Sequence, residues 1–134
     1  MQPAGQFSCA LDALFAAAEA AIAGGATVLV LTDSRVGPGR APIPALLACS
    51  GVHQHLVKTG LRTSRGLVVE TGAAREVHHF ATLAGYGAQA IHPWLAFESI
   101  AGFAGQLPNK PTVYDAQKNY VKAINKGLMK VMSK

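Results

Sequence analysis

Three residues with side chains suited to acid–base chemistry, Asp33, Glu70 and His92, stand at the ends of apolar stretches of the chain. Two carboxylates and an imidazole brought together could exchange protons with a substrate or hold a small ligand. If the stretches are parallel strands, their carboxyl ends meet at one edge of a sheet, where open parallel sheets bind ligands. Residues at strand ends also cap helices and anchor loops, and Thr71 is well placed for such a cap. Asp33, Glu70 and His92 are therefore candidate ligand-binding residues, with a purely structural role as the alternative.

The five histidines lack the spacing of a metal site. On a helix, His53 and His55 would point about 200° apart, and the neighbours His78 and His79 meet the same difficulty. The sequence contains no HExxH pattern and no two histidines four residues apart, so it predicts no metal site. It also lacks a Ser-His-Asp order and a nucleophile elbow, and so predicts no catalytic residue. We expect His78 and His79 to be structural, with one ring packed inward and the other bonded to a neighbouring segment.

The composition is typical of a globular cytoplasmic domain. Half of the residues are hydrophobic and 14% are charged. No apolar run approaches the roughly 18 residues that span a bilayer. The opening residues MQPAGQFSCALDAL carry no basic residue ahead of their apolar part, unlike a signal peptide. Cys9 and Cys49 stand apart rather than in a CxxC pair, which predicts reduced thiols without a metal or redox motif.

Strand-like and helix-like patterns alternate along the chain. The run 26–32 is continuously apolar and β-branched, which is typical of a strand buried on both faces of a parallel sheet. Alternation of this kind predicts right-handed βαβ units. We therefore expect an α/β fold with three-layer βαβ units around a mainly parallel sheet, as part of a barrel-like or doubly wound domain, and a C-terminal helix. The predicted strands are 26–32, 66–70 and 88–91, and the predicted helices are 11–23, 43–59, 73–84, 94–103 and 113–132.

The net charge of +5 arises in the last part of the chain. Residues 110–134 contain six lysines and one acidic residue, Asp115, whereas basic and acidic residues balance in 1–109. The lysines of the last predicted helix recur every fourth residue: Lys118, Lys122, Lys126, Lys130 and Lys134. We expect a solvated lysine face, with a surface that docks on an acidic partner or on another part of a longer chain as the alternative. A nucleic-acid surface is not expected, because no aromatic platform accompanies the lysines. Gly127 is expected to interrupt this helix. The apolar side of the helix is expected to anchor it on the sheet or on a second copy of the chain.

Six segments of the sequence carry a family resemblance. They are APIPALLA (41–48), VHQHL (52–56), GLRT (60–63), GLVVE (66–70), REVHHFATLAGYGA (75–88) and the ending 119–134. In this order they resemble the central domain of the glutamate synthase large subunit up to the start of its FMN-binding barrel, over about residues 10–134. The chain departs from the family at the strand-end edge, where His92-Pro93-Trp94 stands in place of Asn-Pro-Tyr.

The resemblance implies a fragment of an oxidoreductase that assimilates ammonia. In the family, a glutaminase domain releases ammonia from glutamine, and a tunnel carries it to the FMN barrel, where 2-oxoglutarate becomes glutamate. An iron–sulfur cluster delivers electrons from NADPH or ferredoxin. Residues 10–104 would be the α/β part of the central domain and 105–134 the connector to the FMN domain. We therefore expect no cofactor and no activity in this segment alone.

The resemblance also implies partners. These are the other domains of the large subunit and, through the parent enzyme, the small NADPH-oxidising subunit or ferredoxin. A homodimer is possible, and neither a nucleic acid nor a membrane is expected. The alternative to a scaffold is a stand-alone α/β module that binds a small metabolite at Asp33, Glu70 and His92 without catalysis.

Overall fold

The computed structural model describes residues 4–133. Helices and strands alternate as far as the fourth helix, and a fifth helix follows; 3-10 turns lie at Arg62–Ser64 and Ala104–Gln106. The elements in order are α1 (Ala4–Ala23), β1 (Val28–Thr32), α2 (Ala45–Lys58), β2 (Gly66–Glu70), α3 (Val77–Gly85), β3 (Ala90–His92), α4 (Trp94–Phe103) and α5 (Val113–Met132). The predicted α/β class and the C-terminal helix are confirmed.

The three strands form one parallel sheet in the order β1-β2-β3. Each strand connects to the next through one helix, as in a βαβ unit. The register places Thr32 opposite Glu70 and Glu70 opposite His92. The strand ends therefore meet at one edge, as the sequence predicts.

The core lies between one face of the sheet and the helices. Leu29, Leu67 and Val69 point to this face and are nearly inaccessible to solvent. Helix α2 turns Cys49, Val52 and Leu56 toward them, at the spacing of one helical face. Side chains from α1, α3 and α5 join the same cluster, among them Ile22, Phe80 and Ile124.

The opposite face of the sheet is open along β1. Val28 and Val30 are 53% and 57% exposed, and Thr32 is exposed as well. The expectation that β1 is buried on both faces is therefore wrong for residues 4–133. Those residues do not supply the covering layer that a three-layer arrangement needs on this side of β1. The apolar run indicates only that the side chains on both faces of β1 are suited to burial.

Helix α5 differs from the expectation at Gly127, because it continues without interruption from Val113 to Met132. The glycine lies where α5 meets α3, and a side chain at this position would overlap Cγ2 of Val77. The lysines of α5 are exposed from Lys118 to Lys130, so the solvated face is confirmed there, while Lys134 lies outside the described residues. The division of the chain at residue 105 remains a prediction.

Replacing Gly127 by alanine is expected to lower the free energy of unfolding by up to about 2 kcal/mol. Alanine improves helix propensity by about 1 kcal/mol, but overpacking typically costs about 1–3 kcal/mol. Rotation of Val77 can move its Cγ atoms but not its Cβ, which would still lie 3.2 Å from the new methyl group, so part of the contact remains. Urea unfolding of Gly127→Ala measures the change. Gly102→Ala in α4 is the matched control, since nothing lies within 4 Å of its Cβ position. Equal stabilisation by both variants would contradict the close approach of α5 and α3.

Candidate functional site

Asp33 is the hydrogen-bonding centre of the strand-end edge. Its Oδ1 accepts the backbone N–H of Gly72 at 3.0 Å and the indole N–H of Trp94 at 2.7 Å. Its Oδ2 accepts the hydroxyl of Thr71 at 2.5 Å. The donors come from the loop after β2 and from the start of α4. The carboxylate thus joins the end of β1 to two later parts of the chain, and protein donors occupy both of its oxygens.

Thr71 completes this arrangement from inside. Its side chain is fully buried, and its Oγ1 accepts the backbone N–H of Ala73 at 3.0 Å while donating to Asp33. Its own N–H donates to the carbonyl of His92 at 3.0 Å. The hydroxyl therefore closes a local turn instead of capping the next helix, which begins at Val77 rather than at residue 73.

Glu70 and His92 are register partners, but their side chains have different surroundings. Oε2 of Glu70 accepts the hydroxyl of Thr32 at 2.5 Å and lies 3.5 Å from the hydroxyl of Ser34. His92 is exposed, and its ring lies edge-on to Phe97 with 5.4 Å between centroids. The structure brings the three candidates to one edge but commits Asp33 to Trp94, Thr71 and Gly72. A ligand role for the edge remains a prediction.

His78 and His79 are both exposed, so the expectation that one of them packs inward is wrong. Phe80 and Leu83 are the buried residues of α3. Nδ1 of His79 accepts the backbone N–H of Arg75 at 3.2 Å, and its Nε2 lies 3.5 Å from the carboxylate of Glu76. His79 therefore supports the chain entry into α3 from the surface.

Sequence reasoning missed a cluster around Arg62. Its Nε donates to Nδ1 of His53 at 2.9 Å, and its two terminal nitrogens donate to the carbonyls of Arg65 at 2.7 Å and Gly87 at 2.8 Å. Because Nδ1 of His53 accepts, the ring proton lies on Nε2. The cluster ties α2 to the turn between α3 and β3. In the sequence, only the glycine at position 87 indicates this turn, because the φ of 112° that the turn requires favours glycine.

Cys49 is a free thiol in the core. It is completely buried, and its Sγ lies 3.7 Å from the carbonyl oxygen of Tyr86 and 3.9 Å from that of Leu83. Burial raises the pKa of the thiol, although the nearby Arg62 charge works in the opposite direction. A neutral buried thiol is a poor nucleophile.

A groove of about 370 Å³ lies alongside β1. Its walls include Leu14 of α1, Val30 of β1 and Ile43 of the loop before α2. Arg35 and Arg40 also line it and are exposed, and their guanidinium groups make no hydrogen bond or ion pair within residues 8–133. The carboxylates of Asp33 and Glu70 line it as well, but both already accept hydrogen bonds from within the chain. The groove thus combines apolar walls with two available cations. Among the helices of residues 4–133, none is long and apolar enough to cross a membrane.

Comparison with known proteins decides the family. The family sequence model of the glutamate synthase central domain matches residues 1–134, the whole chain. The chain belongs to this family. It is 45% identical over 124 residues to the glutamate synthase [NADPH] large chain of Bacillus subtilis, covering 92% of this chain and 8% of that protein. The resemblance seen in the sequence is confirmed.

Two further relatives are similar to this glutamate synthase central domain to nearly the same degree. Ferredoxin-dependent glutamate synthase 1 of Arabidopsis thaliana is 42% identical, with 97% of this chain and 9% of the relative covered. The glutamate synthase [NADH] of Schizosaccharomyces pombe is 42% identical, with 96% and 6% covered. The chain therefore spans less than a tenth of the length of these relatives.

Proposed function

We propose that this chain is a scaffold segment of a glutamate synthase large chain. In that role it holds the glutaminase and FMN-containing parts of the parent oxidoreductase in fixed relative positions, so that ammonia from glutamine reaches the site where glutamate forms. FMN and the iron–sulfur cluster then belong to other domains of the parent. The family membership and the small share of each relative that the chain spans support this assignment.

The observation that carries the proposal is the closure of the strand-end edge by Asp33. This edge is where open parallel sheets bind ligands. Here Trp94, Thr71 and Gly72 use the carboxylate oxygens, so the chemistry that could serve a ligand instead locks loops together. The arrangement favours a rigid structural element over the alternative of a metabolite-binding module.

The relatives give independent support. Proteins named for NADPH, ferredoxin and NADH resemble the chain at 45%, 42% and 42% identity. A segment that contacted the electron donor would be expected to resemble one donor class more than the others. Nearly equal similarity to all three suits a part of the enzyme that does not contact the donor.

A chimeric enzyme tests the scaffold role. The matching segment of the Bacillus subtilis large chain is replaced by this chain, with and without Trp94→Phe, which removes one donor to Asp33. We expect the chimera to form glutamate from glutamine. The Trp94→Phe chimera should lose glutamine-dependent synthesis by about tenfold while keeping glutaminase and ammonia-dependent activities, because a misplacement of about 1 Å can uncouple sites. Equal loss of all three activities would contradict a coupling role and indicate a folding defect.

A further inference from the structure

The outer edge of β1 offers unpaired backbone groups. Two backbone hydrogen bonds join the ends of β1 to β2. The carbonyl of Thr27 accepts the N–H of Gly66 at 2.8 Å, and the N–H of Asp33 donates to the carbonyl of Glu70 at 3.2 Å. Because bonding residues alternate along a parallel strand, Leu29 and Leu31 also face β2. The N–H and C=O groups of Val28 and Val30 therefore point away from β2, and β2 is the only strand that pairs with β1 in the described residues.

This edge lacks the devices that normally protect a sheet. Edge strands usually carry lysine, proline or bulges that discourage pairing with another chain. The strand Val28–Thr32 is VLVLT, without charge or proline, and the side chains of Val28 and Val30 are more than half exposed. The other edge strand, β3, is only three residues long and ends before Pro93. The edge of β1 is thus the better template for a further strand.

The groove adjoins the second half of β1, where Val30, Leu31 and Thr32 line it, and it extends to Val69 and Glu70 of β2. Leu14, Val36 and Ile43 give it apolar walls, and Arg35 and Arg40 add positive charge. The two carboxylates that also line it, Asp33 and Glu70, already accept hydrogen bonds from within the chain, so the arginines are the charges left for a ligand. An edge with unpaired backbone groups and adjoining side-chain pockets is the geometry of strand addition, in which an extended peptide gains affinity from the backbone and specificity from alternate side chains.

We propose that the edge of β1 receives an extended segment of the same glutamate synthase polypeptide, from outside these 134 residues, as a fourth strand. Its alternate apolar side chains enter the groove, and an acidic side chain pairs with Arg35 and Arg40. The inference rests on the proposed function, since it requires a larger parent chain. The relatives contain more than ten times the matched length, and covalent linkage gives such a segment a high effective concentration. A second copy that paired through its own β1 would present VLVLT, and the carboxylate that follows it, Asp33, is already engaged by Thr71, Gly72 and Trp94.

Amide exchange on the 134-residue chain, followed by NMR, tests the proposal. The probes are overlapping synthetic peptides that cover the rest of the Bacillus subtilis large chain. We expect one peptide with alternating apolar residues and an acidic residue to slow exchange at Val28 and Val30 by about tenfold or more. Exchange at Leu29 and Leu31, which already bond to β2, should not change. Arg40→Gln should weaken binding of that peptide by about tenfold, because a desolvated charge pair is lost.

Substitutions at Val30 separate pairing from folding. Val30→Pro removes an N–H that points away from β2, so it should abolish peptide binding while Leu29 stays protected. Val30→Thr keeps the N–H and the β-branch and should still bind. Failure of every peptide to protect Val28 and Val30 would overturn the proposal. Concentration-dependent dimerisation that Val30→Pro abolishes would also overturn it, in favour of a second copy. An active chimera with no peptide bound refutes the fourth strand alone, whereas an uncoupled chimera with a bound peptide refutes the scaffold role alone.

Discussion

Replacing Asp33 by alanine is expected to lower the free energy of unfolding by about 3–5 kcal/mol, because each buried donor left without a partner costs about 1–3 kcal/mol. Three donors lose their acceptor: the hydroxyl of Thr71, the N–H of Gly72 and the indole of Trp94. Thr71 is fully buried and has no access to water as a substitute. The loss should therefore exceed that of an ordinary surface carboxylate.

Urea unfolding followed by fluorescence measures this effect, and Trp94, the single tryptophan, reports directly on the edge. Asp33→Asn keeps one acceptor oxygen and should lose an intermediate amount, about 1–2 kcal/mol. Asp115→Ala is the matched control, since its exposed carboxylate also accepts a threonine hydroxyl, that of Thr112 at 2.6 Å. It should cost about 0.5–1 kcal/mol. Equal losses for Asp33→Ala and Asp115→Ala would refute the central role of Asp33.

The elements of the fold follow from local patterns in the sequence. The apolar run before Asp33 predicts the strand that the structure contains as β1, and the helix predicted over 43–59 is present as α2. Burial of a face does not follow in the same way. Whether Val28 and Val30 are covered depends on which chain packs against them, and no periodicity within the strand carries that information.

The same limit applies to the site. Parallel strands predict that Asp33 reaches the edge, but its partner Trp94 lies 61 residues away, and only the packing of α4 brings the indole there.

The histidines illustrate another limit. Adjacency shows that His78 and His79 cannot share one side of a helix, yet both avoid the core because Phe80 and Leu83 set the buried side of α3. A glycine within a helical pattern can indicate either a weak point in the helix or a close contact with a neighbouring element. Gly127 lies at a close contact, with Val77 of α3.

Replacing Gly87 by alanine is expected to cost about 3–5 kcal/mol, because it combines backbone strain with overpacking. The φ of 112° is a conformation that L residues rarely adopt. A Cβ there would overlap Nδ1 of His53 and lie 2.9 Å from its Cβ, so rotation of the ring cannot remove the whole clash. The ring is also held in place by Arg62, which bonds the carbonyl of Gly87 as well.

Thermal and urea unfolding of Gly87→Ala and Gly60→Ala separate the two causes. Gly60 has φ of 73° but nothing within 4 Å of its Cβ position, so alanine there should cost only the strain, about 1–2 kcal/mol. In a His53→Ala background, the cost of Gly87→Ala should fall by about 1–3 kcal/mol, because the ring atoms at the clash are gone. Additive losses in the double variant, or equal losses at Gly87 and Gly60, would show that strain alone fixes this glycine. A positive coupling would instead show that the ring of His53, oriented by Arg62, is what requires glycine at the turn between α3 and β3.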